Sequence, residues 1–156
     1  MLRRKRLANN KNIIILEGIH KWRRWTLKRL LLLFGAGCLG ALVNSLAVWW
    51  VGDLGLARAL GVAVAPALTK AWLYPRIVWG GIWGWLFFLP LLNSRPLVKG
   101  ALLSLGPTLV QLLVIFPYQA NKGVLGLELG TLTPVLVLIY NSIWGVVTAL
   151  AIRYSR

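Results

Sequence analysis

The stretch LLLLFGAGCLGALVNSLAVWW, residues 30–50, decides the class of this chain. It carries no charged residue, and a helix needs about 20 mostly apolar residues to cross a bilayer's hydrocarbon core. Gly37, Gly40, Ala41 and Asn44 fall at i, i+3, i+4 and i+7, so they share one face of that helix. Three further apolar runs follow, at 73–92, 97–116 and 132–152. Each repeats the pattern. Gly80, Gly81 and Gly84 lie in the second run, Gly100, Ser104, Pro107, Thr108 and Gln111 in the third, and Asn141, Gly145 and Thr148 in the fourth. Lipid gives helices no hydrophobic drive to associate, so small residues that let backbones approach, and amides that bond across helices, mark the inward faces. The expected fold is therefore an all-α polytopic membrane protein of four transmembrane helices.

Composition agrees. With 58% hydrophobic and 13% charged residues and a mean hydropathy of +0.72, the chain has too little polar surface for a soluble domain. Its 156 residues divide into a basic leader, 1–29, and one four-helix membrane domain, 30–156, with no room for a separate catalytic module.

The net charge of +15 is distributed for topology rather than for nucleic acid. Arg3, Arg4, Lys5, Arg6, Lys11, Lys21, Arg23, Arg24, Lys28 and Arg29 all precede the first run, and basic residues beside a first span hold that end in the cytoplasm. With the N-terminus inside, Arg95, Lys99, Arg153 and Arg156 also face in, and only Arg58, Lys70, Arg76 and Lys122 face out. Both termini are expected in the cytoplasm. Within the leader, Arg23, Arg24, Lys28 and Arg29 alternate with Trp22 and Trp25, which suits anionic lipid headgroups on that side. A signal peptide fits poorly, since no A-x-A cleavage pattern closely follows the run. A translation start near Leu27 is an alternative, because Leu16-Glu17-Gly18 can be encoded by ribosome-binding codons.

Aromatic residues bracket the spans: Trp49 and Trp50, Trp72 and Tyr74, Tyr118, and Tyr154. This is an interfacial belt. Between the first two spans the apolar segment from Ala59 to Thr69 is too short to cross, and reads as an interfacial helix capped by Asp53 and broken by Pro66, or as a re-entrant segment.

A colinear echo suggests two parallel two-helix repeats. Leu42-Val43-Asn44 recurs as Leu109-Val110-Gln111, Leu54-Gly55-Leu56 as Leu125-Gly126-Leu127, and Trp79-Gly80 as Trp144-Gly145. Halves of two spans each share an orientation, so an axis along the membrane normal would relate them. The echo also sets Glu128 beside Arg58, suggesting an ion pair between the outer connections.

Asn44, Gln111 and Asn141 all lie about 8–15 Å below the outer surface at 1.5 Å per residue. They are either structural amides or the wall of a shallow polar cavity, with Ser104, Thr108 and Thr148 as further candidates. Arg76 and Lys99 sit within about a turn of an interface, where they can snorkel. Otherwise the spans hold no ionisable side chain of the Asp, Glu, Lys, Arg or His types, so a proton relay has no members. His20 is the only histidine and Cys38 the only cysteine, so neither a nucleophile–base pair nor a metal cluster assembles, and no cofactor is expected.

Two functions stay open. The first is a non-catalytic accessory, scaffold or assembly subunit that presents Trp79, Trp83 and the Gly80–Gly84 groove to a membrane partner or to a second copy. The second is a small permease or channel for a neutral or weakly charged solute. The absence of an N-x-[ST] sequon and the compact loops suit a bacterial cytoplasmic membrane.

Overall fold

The computed structural model describes the backbone of residues 2–155 and the side chains of residues 25–155. The described chain is helical, with no strand among the described residues. Its helices are α1 (Leu2–Asp53), α2 (Leu56–Ala59), α3 (Lys70–Gly84), α4 (Pro96–Leu103), α5 (Leu105–Val110) and α6 (Thr133–Tyr154). A tight 3-10 turn, Trp85–Phe88, prolongs α3, and a π-helical segment, Gln111–Gln119, prolongs α5. The chain divides into two compact units, residues 1–32 and 33–156.

From Leu2 onward the first unit is continuous helix. In it the Arg29 guanidinium lies 5.2 Å from the Trp25 ring centre, a cation–π pair at i and i+4. Lys28 is exposed. Arg23 and Arg24, also expected at headgroups, lie outside the described side chains.

Three helices are long and apolar enough to cross a membrane: Trp25–Asp53, Pro96–Gln119 and Thr133–Tyr154. The expected run at 73–92 behaves differently. Its helix begins earlier, where Thr69 Oγ1 accepts from the Trp72 amide at 3.2 Å as an N-cap. It ends at Phe88, because Leu89 turns extended ahead of Pro90. Pro107 and Pro117 each remove a backbone donor from the Pro96–Gln119 helix, which changes from α to π register between them.

Within the second unit the glycines set the helix spacing. A Cβ on Gly37 would overlap the Gly80 carbonyl oxygen and stand 2.9 Å from Gly84 Cα, so α1 and α3 touch backbone to backbone. Gly40 faces the other way, where a Cβ would overlap Thr148 Oγ1 and lie 2.7 Å from the Trp144 carbonyl of α6. A Cβ on Gly100 would overlap the Gly145 carbonyl oxygen and one on Gly145 the Gly100 carbonyl oxygen, so α4 and α6 also touch backbone to backbone. The Gly80–Gly84 groove, expected to face a partner, is thus filled by α1.

The segment after α1 also departs from expectation. Asp53 is the last residue of α1 rather than a cap, since Gly55 adopts a left-handed φ of 73° and turns the chain into the four-residue α2. Beyond Gly61 the backbone is non-helical as far as Thr69, with Pro66 inside it. The expected Glu128–Arg58 ion pair does not form among the described residues. The connection after α1 and the one before α6 are joined instead through backbone: the Ala63 amide donates to the Leu129 carbonyl at 2.7 Å, and Gly130 (φ 138°) packs on Gly61 where no Cβ would fit.

Candidate functional site

Several polar residues of the second unit line two adjoining cavities. One holds about 490 Å³ and is lined by Asn44, Ser45, Arg76, Gln111 and Asn141 together with the indoles of Trp79, Trp83 and Trp144. The other holds about 360 Å³ beneath the connections that follow α1 and precede α6, where Ala63–Pro66, Lys122, Thr133 and Tyr140 form its walls. Arg76, Gln111 and Asn141 line both, so these three side chains form the partition between them.

Helix geometry explains the convergence. Arg76, Gly80 and Gly84 stand at i, i+4 and i+8, so the glycines that press α3 onto α1 also turn Arg76 toward α1. Its Nε–H donates to Ser45 Oγ at 3.0 Å, and the guanidinium lies 4.7 Å from the Trp72 ring centre. Arg76 was expected to snorkel. It turns inward instead, because Ser45 offers an acceptor and Trp72 a π face. Across the partition Asn141 Nδ2 donates to Gln111 Oε1 at 3.3 Å. Asn44 is 6% exposed and its Oδ1 has no hydrogen-bond partner. The hydroxyl oxygens of Thr133 and Tyr140, also buried, likewise have none. Buried polar atoms are ordinarily paired, so these three unpaired atoms, closed off from solvent in residues beside the two cavities, are exceptions to that rule.

The other candidates lie elsewhere. Ser104 Oγ donates to the Ala101 carbonyl, Thr108 Oγ1 to the Ser104 carbonyl and Thr148 Oγ1 to the Trp144 carbonyl, each at 2.7 Å. Such bonds satisfy a hydroxyl along its own helix. None of these three residues lines either cavity. Gly37, Gly40, Gly80, Gly84 and Gly145 are all buried at helix contacts.

Lys99, the second cation expected to snorkel, is 6% exposed. Its Nζ donates to the carbonyls of Phe87 and Leu89 at 3.2 and 2.5 Å and to Asn93 Oδ1 at 2.9 Å. The ammonium collects the loose carbonyls at the end of the Trp85–Phe88 turn, a common use of a cation at a helix C-terminus. Among the described residues no group of three His, Cys, Asp or Glu side chains comes together to hold a metal ion.

Asn44, Gln111 and Asn141, set at similar depth by the sequence, all line the first cavity, while Arg76, Ser45, Thr133 and Tyr140 on the cavity walls were not expected there. The signal for Arg76 was its spacing from Gly80 and Gly84. Comparison with protein-family models, curated proteins and solved structures returned no match.

Proposed function

We propose that this chain is a small permease or channel of a bacterial cytoplasmic membrane, with four spans and both termini in the cytoplasm, that binds and passes a small polar solute between its two halves. The observation that carries this reading is the shared wall of Arg76, Gln111 and Asn141 between two cavities. Packing alone has no use for an arginine and two amides set between adjoining cavities, whereas a pathway needs polar groups at membrane depth facing space rather than lipid.

A fourth span is supported by length. Lys70–Gly84 rises about 22 Å as α-helix, and Trp85–Phe88 adds about 8 Å as 3-10 helix, together near the ~30 Å hydrocarbon thickness. Two parallel halves are supported by matching contacts. Counting in register from Asn44 and Gln111, and from Gly80 and Gly145, Gly37 corresponds to Ser104 and Arg76 to Asn141. Gly37 packs on Gly80, and Ser104 Cβ lies 3.1 Å from a Cβ built on Gly145. Arg76 bonds Ser45, beside Asn44, and Asn141 bonds Gln111. Gly55 and Gly126 both take left-handed φ, 73° and 70°. Cavities at the interface of repeats are where transporters hold their substrates.

In this reading the chain is not an enzyme and uses no cofactor, and its leader rests on anionic lipid at the cytoplasmic face. The accessory-subunit reading retains Trp79, which is 59% exposed, but loses the Gly80–Gly84 groove to α1. Reconstitution into liposomes separates the two. A permease gives solute-dependent swelling that Gln111→Leu or Asn141→Leu abolishes in a folded protein. Absence of flux for a panel of small solutes, with a stoichiometric partner co-purifying from native membrane, would establish the subunit reading instead.

A further inference from the structure

Charge on the cavity walls is one-sided. Arg76 lines both cavities and Lys122 the outer one, while the two acidic side chains described, Asp53 and Glu128, line neither. Taking a guanidinium out of water is costly unless an opposite charge and hydrogen bonds offset it. Arg76 has one hydrogen bond, from Nε, and one aromatic neighbour. The N–H groups of its two terminal nitrogens have no acceptor among the described residues. That planar fork matches two oxygens of one oxyanion, which a halide cannot reproduce and whose charge also complements the guanidinium. Thr133 and Tyr140 line the same outer cavity without adding a charge, their own hydroxyls being closed off from it. The outer volume of about 360 Å³ lies in the range of small-molecule sites.

We infer that the partition is an oxyanion site, with Arg76 as its central ligand-binding residue and Lys122 as the cation at its outer side. It would take a phosphate group, either as the free ion or as the headgroup of an anionic phospholipid. This deepens the permease reading by naming the charge class of the guest, and it replaces the expectation of a neutral or weakly charged solute.

The test uses the full chain in phosphatidylcholine nanodiscs at constant ionic strength set with chloride. Trp72 stacks on Arg76, so indole fluorescence reports the site. Inorganic phosphate should give a saturable change, with the apparent Kd raised at least about tenfold by Arg76→Gln, less by Arg76→Lys, and several-fold by Lys122→Gln. A second arm adds phosphatidylglycerol and reads retained lipid by native mass spectrometry. A single lipid held by the wild type and lost in Arg76→Gln assigns the guest as a headgroup. Lys122 is exposed, so Lys122→Gln carries the comparison should Arg76→Gln not fold. No binding in either arm by the wild type overturns the site, as does binding unchanged by every substitution. Phosphate bound without flux of any solute removes the permease and leaves the site. Flux without anion binding does the reverse.

Discussion

Trp144 Nε1 donates to the Gly37 carbonyl oxygen at 3.1 Å, joining α6 to α1 across 107 residues of chain. Trp144 is 3% exposed and meets Phe87 edge to face at 6.1 Å, so one indole ties α1 and α6 to the turn that ends α3. The same Gly37 presses its Cα side on Gly80. α1 is thereby held between α3 and α6, which leaves Asn44 and Ser45, two turns further on, beside the cavity.

Trp144→Phe keeps an aromatic ring but removes the donor and some volume. It should cost about 1–3 kcal/mol, from the lost hydrogen bond and the space left behind. A lowered unfolding midpoint in mild detergent checks this, and an unchanged midpoint would show that the indole bond contributes nothing.

Gly80→Ala and Gly145→Ala introduce a Cβ where Ala41 Cβ and the Gly100 carbonyl already stand. Neither neighbour is a flexible side-chain end, so each should destabilise by about 1–3 kcal/mol or more. Gly35 is the contrast, with nothing within 4 Å of an added Cβ. Gly35→Ala should be neutral or stabilising by up to about 1 kcal/mol, through helix propensity alone. Parallel thermal melts of the three variants read the difference.

Lys99→Met keeps the length of the side chain and removes the ammonium that binds Phe87 O, Leu89 O and Asn93 Oδ1. Charge-assisted bonds of this kind are worth about 1.5–3 kcal/mol, so stability should fall by roughly that amount. A snorkelling lysine predicts no change. Increased hydrogen exchange at Phe88 and Leu89 would locate the loss in the turn.

How far the sequence reached depends on whether a signal is local. The three spans Trp25–Asp53, Pro96–Gln119 and Thr133–Tyr154 were legible because composition over about 20 residues carries them. The Lys70–Phe88 segment was misplaced by several residues, since the Thr69 cap and the extended Leu89 are single-residue events inside an apolar run. The glycine stripe was visible as period, but its partners were not: nothing in the spacing of Gly80 and Gly84 says whether Gly37 or another chain fills their groove. Asn44, Gln111 and Asn141 were found because amides are rare in such runs. Arg76 and Lys99 were misread because the inward or outward turn of a cation near a span end depends on acceptors brought from other helices. Those acceptors are Ser45 in one case and the carbonyls after α3 in the other.

Gln111→Leu and Asn141→Leu remove one 3.3 Å amide bond. Interhelical bonds of this type average about 0.6 kcal/mol and reach about 2, so stability should change by no more than that. Flux should fall far more than stability does. Equal losses of both would make the pair a packing contact.

Thiol labelling shows whether water reaches a positively charged cavity between the helices of the second unit. In a Cys38→Ser background, Ile115→Cys places a thiol on the cavity wall, whereas Leu113→Cys lies on a 47% exposed surface that lines neither cavity. Membrane-impermeant methanethiosulfonates, one anionic and one cationic, are applied to intact liposomes, and each rate is divided by that for a free thiol in solution. The account predicts labelling of Ile115→Cys but not of Leu113→Cys, with the anionic reagent favoured and the preference removed by Arg76→Gln. No labelling of Ile115→Cys, or labelling without a charge preference, would contradict it.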